Sequence, residues 1–213
     1  MIKFFNITDT DSVEYLEALE VYKAGTPDEL QIKTEEIEKK MASGRAIIIL
    51  GKQNILPVFM AMLWKLDGID FYVNEIISII PSAKQLPLGK IYMEVLKASE
   101  YLKNKHIIFE VEDPDFGNRD ERQKKLDFYF QHGLSLVDGV KTIVPSPISE
   151  DYTNTLLCIL SHSRFLKITQ DQMREIITKM YVDLYQQEAD TYLVKSILDH
   201  IPETIRLLGF LKV

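Results

Sequence analysis

Between Arg45 and Ile80 three apolar runs follow one another with only turn residues between them. Arg45 to Gly51 leads into Gln53-Asn54, Val58 to Leu66 leads into Asp67-Gly68, and Phe71 to Ile80 stops at Pro81. Asp-Gly between apolar runs is a strong hairpin signal, because its residues accept the backbone angles that tight turns demand. The segment therefore predicts three consecutive antiparallel strands, a unit that needs helices or another sheet to cover it.

The flanking sequence supplies that cover. Ile2 to Ile7 reads as a strand and Val13 to Lys23 as a helix. Thr26-Pro27-Asp28-Glu29 has the form of a capping box with proline at the first helical position, which predicts a short helical turn. A helix from Thr34 to about Met41 stops at Ser43-Gly44, and its run Glu35-Glu36-Ile37-Glu38-Lys39-Lys40 reads as a solvated face. Leu88, Ile91, Tyr92, Val95, Leu96, Ser99 and Leu102 recur at three and four, the face of one helix. His106 to Glu112 is a strand, and Arg119 to His132 a helix closed by Gly133. Leu134 to Val144 is a strand interrupted near Asp138-Gly139; after Pro145-Ser-Pro147, Thr155 to Leu160 is a last strand. From Thr169-x-x-Gln172 onward the period is helical, with stripes at Met173, Ile176, Ile177, Met180, Tyr181, Leu184 and at Leu193, Val194, Ile197, Leu198, Ile201. The fold class expected is α/β: a central mixed, mostly antiparallel sheet flanked by helices, plus a C-terminal helical extension. Residues 1–163 form the main domain; 164–213 pack on it or on a partner, so a homodimer is an open expectation.

Composition narrows the function. With 25 basic against 32 acidic residues the net charge is −7, which argues against a general binder of nucleic-acid backbones. The longest unbroken apolar run, Val58 to Trp64, is far short of the roughly 20 residues of a spanning helix. No leader pattern opens the chain, and Cys158 is the only cysteine, so a cytoplasmic, reducing setting is expected and no internal disulfide or thiolate metal cage can form. No histidine lies at ligand spacing to the acidic residues, and no metal is expected. Ser161-His162-Ser163 lacks the surroundings of a nucleophilic serine.

Glu75 stands out. Strand alternation puts it on one face with Phe71, Val73, Ile77 and Ile79, and a carboxylate amid apolar neighbours usually has a purpose. It is either a base with a raised pKa or one half of an ion pair with a neighbour such as Lys65. Glu110 and Glu112 share a face of the next parallel strand with His106 and Ile108, Glu110 being the deeper; either could bind a cationic acceptor. The segment from Ser82 to Lys90 enters the periodic helix, so the N–H groups of Leu86, Leu88, Gly89 and Lys90 could hold a phosphate, with Lys84 and Lys90 adding charge. An ordinary helix with proline at its first position accounts for Pro87 as well.

The order of elements and several local motifs resemble the GNAT acetyltransferase superfamily over roughly residues 1 to 160. Phe109-Glu-Val-Glu-Asp-Pro114, Phe128-Tyr129-x-x-x-Gly133-Leu134, the downstream Pro145 and the helical tail from Thr169 to Leu208 are similar to a bacterial GNAT subgroup. The family's cofactor signature is Arg/Gln-x-x-Gly-x-Gly/Ala. Here Lys84-Gln85-Leu86-Pro87-Leu88-Gly89 aligns with it, lysine and proline replacing the usual first two signature residues. The resemblance implies an N-acetyltransferase that carries acetyl from acetyl-CoA to a primary amine of a small molecule or peptide, in a ternary complex. It implies Glu75, or Glu110, as base and Tyr129 as the acid for the leaving thiolate. Ile79, Lys84, Gln85, Leu86, Leu88, Gly89, Lys90 and Arg122 are the implied acetyl-CoA contacts, Arg122 standing where many members carry an asparagine. The altered loop leaves a second reading open: a silent GNAT-like domain that binds acyl-CoA or a protein partner.

Overall fold

A computed structural model describes residues 1–146, 151–161 and 166–209. His162, Ser163, Pro147 and the expected boundary at 163/164 lie outside the described residues. Among the described residues the strands form one eight-stranded sheet in the order β1-β2-β3-β4-β5-β7-β6-β8, and there are six α-helices. Every pairing whose register is given is antiparallel, except the parallel β4–β5 pair. This is the mixed, mostly antiparallel α/β fold that the sequence predicts. The residues group into two compact units, and β4 contributes to both.

The first unit holds β1 (Ile2–Ile7), β2 (Ala46–Gln53), β3 (Leu56–Lys65) and the Asn74–Ile79 part of β4 (Phe71–Ile79), with helices α1 (Val13–Gly25), α2 (Thr34–Ala42) and α3 (Leu88–Ala98). The β2–β3 hairpin turns at Asn54, whose φ is +58°, and Gly68 in the turn before β4 has φ +74°. Ser12 caps α1 by accepting from the Tyr15 N–H at 3.2 Å. Phe59 of β3 packs on Tyr92 of α3 with ring centroids 4.9 Å apart, and Phe4 of β1 meets Phe59 at 5.4 Å. The capping box expected at Thr26 does not form. The Thr26 hydroxyl instead bonds Ser78 of β4, and only a 3₁₀ turn over Asp28–Leu30 follows, because a side-chain partner across the fold outcompetes the local one. Helix α3 ends at Ala98, so Leu102, placed on its stripe by spacing, is buried beyond the helix.

The second unit holds Phe71–Val73 of β4, β5 (His106–Glu112), β6 (Ser135–Pro145), β7 (Tyr152–Ser161) and β8 (Leu207–Leu208), with α4 (Arg119–Gln131), α5 (Gln170–Lys179) and α6 (Tyr192–Asp199). The break expected near Asp138-Gly139 is an irregularity of register: β6 pairs with β7 at Leu136 and again from Lys141, and Gly139 takes φ +75°. Helix α5 carries the full capping box, Thr169 and Gln172 each accepting from the other's backbone N–H. It then runs into a π-helical turn, Met180–Leu184. The predicted stripe from Met173 to Leu184 is buried throughout. Tyr181 of that stripe and Tyr185 just beyond it tie the tail to the sheet of this unit. The Tyr181 hydroxyl donates to the Ile143 carbonyl at 2.6 Å and accepts from the Ile143 N–H at 2.8 Å, and the Tyr185 hydroxyl donates to Glu110.

Candidate functional site

Glu75 sits on the part of β4 that belongs to the first unit, its side chain only 12% exposed. One carboxylate oxygen, Oε1, accepts from the Lys40 ammonium; the other, Oε2, is buried with no hydrogen-bond partner among the described residues. The partner differs from the Lys65 that strand pairing suggests, and Lys40 is not on a solvated face: it reaches in from α2 and is itself 11% exposed. Its Nζ lies 5.5 Å from the centroid of the Trp64 ring, a cation–π contact. Burial pushes the Glu75 carboxyl above the usual carboxylate range; Lys40 pulls it back through charge and hydrogen bond, and Glu36 adds to the rise. A partly desolvated carboxylate with one free oxygen is equipped to take a proton.

The loop after β4 lies in the same unit. Pro81 opens a 3₁₀ turn, Pro81–Ala83, and Pro87 stands at the N-cap of α3 with no side-chain cap. Two of the four N–H groups expected to face a phosphate are engaged within the loop. Leu86 N–H donates to the Ala83 carbonyl at 3.0 Å, and Leu88 N–H to the Leu86 carbonyl at 2.8 Å. Pro87 is the cause: with ψ of +44° it folds the chain back tightly enough to close that last bond, which spacing alone does not show. Leu88 is also a buried core side chain. The N–H groups of Gly89 and Lys90 have no such backbone partner among the described residues and stand at the positive end of α3. Lys84 and Lys90 are exposed. Gln85 is exposed, its amide donating to the Ser82 carbonyl at 2.6 Å, and Ile79 closes β4 against Gly25. An ideal Cβ at Gly25 would stand 2.7 Å from the Ile79 carbonyl oxygen, so only glycine lets the end of α1 come this close to β4. On α3, the Tyr92 hydroxyl donates to Asn74 of β4 at 2.6 Å, fixing the helix that carries the loop.

In the second unit Glu110 accepts from Tyr185, the residue just after the π turn. Tyr185 is a contact that sequence reasoning missed. It falls four residues after Tyr181, so the helical stripe could have been extended to it, but nothing local marks Glu110 as its target. Tyr129 is buried on α4, its ring 5.2 Å from Phe109 and 5.6 Å from Phe128. Desolvation raises its phenol to about 12, the Cys158 sulfur contributing, so it stays protonated and able to donate at neutral pH. Arg122 is already occupied. Its Nη1 donates to the Asp113 carbonyl at 3.2 Å, its guanidinium lies on Gly117, and Glu112 is 3.9 Å from Nη2. Asp113 itself is buried against Lys141 at 2.8 Å, and despite its desolvation the bonds from Lys141 and the Asp115 N–H hold its carboxyl below the usual range. These contacts brace the end of β5. Cys158 is buried and its thiol is pushed up to about 12 by desolvation, the state of an inert core cysteine.

Among the described residues no three His, Cys, Asp or Glu side chains come together as a metal site, and no helix is long and apolar enough to cross a membrane. No protein-family profile and no curated protein matches the sequence. Solved structures do match the fold. A GNAT-family protein of Bacteroides thetaiotaomicron superposes with a TM-score of 0.69 at 22% identity, over 87% of this chain and 99% of that one. The ribosomal-protein-S18-alanine N-acetyltransferase of Escherichia coli gives 0.57 at 14% identity, over 78% and 97%. The yncA protein of Salmonella typhimurium, solved with its cofactor acetyl-CoA, gives 0.52 at 9% identity, over 78% and 95%. The chain therefore has the GNAT-like α/β fold.

Proposed function

We propose that this protein is an N-acetyltransferase that carries an acetyl group from acetyl-CoA to a primary amine in a ternary complex. The observation that carries the reading is Glu75: a buried carboxylate on β4 of a GNAT-like fold, with one oxygen held by Lys40 and the other unpartnered among the described residues. An amine enters as its ammonium and becomes nucleophilic only after losing a proton. Glu75 Oε2 is the acceptor for that proton. Glu110, the alternative base, is bonded to Tyr185 and is the weaker candidate.

The residues present fit acetyl-CoA in part. Gly89 and Lys90 would hold a phosphate through their N–H groups, with the Lys84 and Lys90 ammonium groups adding charge. Acetyl-CoA, when bound, supplies the activated thioester carbonyl. Tyr129, kept protonated by burial, is assigned the return of a proton to the thiolate that leaves. Arg122, engaged at the end of β5, is left out of the phosphate contacts.

One observation favours a second reading, a silent domain that binds acyl-CoA: the loop gives up the Leu86 and Leu88 N–H groups to its own carbonyls, and Pro87 has none. A single experiment separates the two. Acetyl-CoA should raise the melting temperature, since a ligand of the native state stabilises it; release of free thiol is then followed across a panel of amines. Glu75→Gln should keep the thermal shift and lower turnover by about 10²-fold, within the usual range for a lost general base. A thermal shift with no thiol release on any amine supports the silent reading, and no shift at millimolar acetyl-CoA excludes both.

A further inference from the structure

Lys40 does more than neutralise a buried acid. Its neighbours on α2, Glu35, Glu36, Glu38 and Lys39, are exposed, yet Lys40 is drawn in to 11% exposure to reach a single oxygen of Glu75. Its ammonium lies over Trp64, whose ring is also 6.0 Å from the Arg45 guanidinium carbon. Among the described residues the ionisable groups acting on Glu75 are Lys40 and Glu36 from α2 and, from α1, the phenol of Tyr22, which accepts from the Ile32 N–H at 2.7 Å. Of these, Lys40 is the one cation, so among the described residues it is the group that offsets the cost of a charge in this setting. Removing one partner of a buried pair leaves the other charge uncompensated, and a carboxylate in that position takes up a proton instead.

We propose that Lys40 is the positioning residue of this site: by claiming Oε1 it orients the Glu75 carboxylate and leaves Oε2 as the oxygen that receives the proton of the acceptor. The inference rests on Glu75 being the base. Lys40 itself touches neither acceptor nor acetyl donor in this role.

The test is the pH dependence of Lys40→Met, Lys40→Arg and the double variant with Glu75→Gln. In kcat/KM, the acidic limb should move up by about one pH unit or more in Lys40→Met, the scale of losing an opposite charge at contact. Lys40→Arg, which keeps the charge, should return it close to its original place. In the Glu75→Gln background, Lys40→Met should move nothing.

A second readout needs no turnover. A carboxyl whose folded pKa lies above its unfolded one makes the native state bind more protons, so stability falls as pH rises from the unfolded value through the folded one. In Lys40→Met that fall in melting temperature should extend to higher pH, and Glu75→Gln should remove the extension. If Lys40→Met does not fold, Lys40→Gln carries both measurements. An unmoved limb together with an unmoved melting profile overturns the proposal and leaves Lys40 as packing. A moved melting profile without turnover of any amine supports the hold of Lys40 on Glu75 and refutes the acetyl-transfer reading instead.

Discussion

Replacing Gly25 by alanine adds one methyl group at the tightest backbone approach that bears on the site. The new Cβ would meet Ile79 at 2.7 Å from its carbonyl oxygen and 2.8 Å from both its carbonyl carbon and its nitrogen. All three are backbone atoms, so no side chain can swing away. Restoring an ordinary contact near 3.4 Å requires the end of α1 and the end of β4 to part by about 0.7 Å. Overpacking of this kind costs about 1–3 kcal/mol, and the better helix propensity of alanine returns at most about 1 kcal/mol. The net expectation is a loss of about 1–2 kcal/mol, or roughly 2–8 °C in melting temperature for a chain of this size. Because Ile79 leads directly into the loop before α3, the thermal shift given by acetyl-CoA should shrink as well. The assay is a melting curve for each protein with and without acetyl-CoA. Gly25 has no left-handed backbone that would penalise alanine by itself, so a variant as stable as the parent, or more so, would show that helix propensity wins and would refute the close approach of α1 to β4.

Two other substitutions probe separate parts of the chain. Gly89→Glu puts bulk and negative charge at the start of α3 and should abolish the thermal shift by acetyl-CoA; retained affinity would remove this loop from the site. Tyr181→Phe deletes both hydrogen bonds to Ile143 and should cost about 1–3 kcal/mol, read as a lower midpoint in urea with an unchanged slope, since each net bond is worth about 1 kcal/mol.

The strands were legible because their punctuation is chemical. Asn54 and Gly68 take the positive φ that their residue types suit, and Thr169 with Gln172 closes the capping box that their spacing announces. Thr26 shows the limit of the same rule: its hydroxyl had a partner on β4 that no local pattern reveals. Glu75 was legible as a charge on an apolar strand, but its partner was not. The signal for Lys40 lay in the helix: it follows the buried Ile37 by three and precedes the buried Met41 by one, which puts it at the edge of the covered face. Charge patterning alone reads such a lysine as solvated, because it ignores how far a long stem can reach. The Leu86 and Leu88 N–H groups were misread for a different reason. Whether a loop turns its donors outward depends on dihedral angles such as ψ at Pro87, and residue types leave those open. The contact of Tyr185 with Glu110 joins positions 75 residues apart, and only the folded tail brings them together.

The phenol of Tyr181 satisfies both main-chain groups of one β6 residue, where a ninth strand would otherwise have to stand. Beyond the short β8, this rim of the sheet is thus sealed by a side chain instead of by more backbone. At Ile143 a side chain thus takes the place that the backbone of an added strand would hold. Loss of the Tyr181 hydroxyl would leave one N–H and one carbonyl of β6 without this partner.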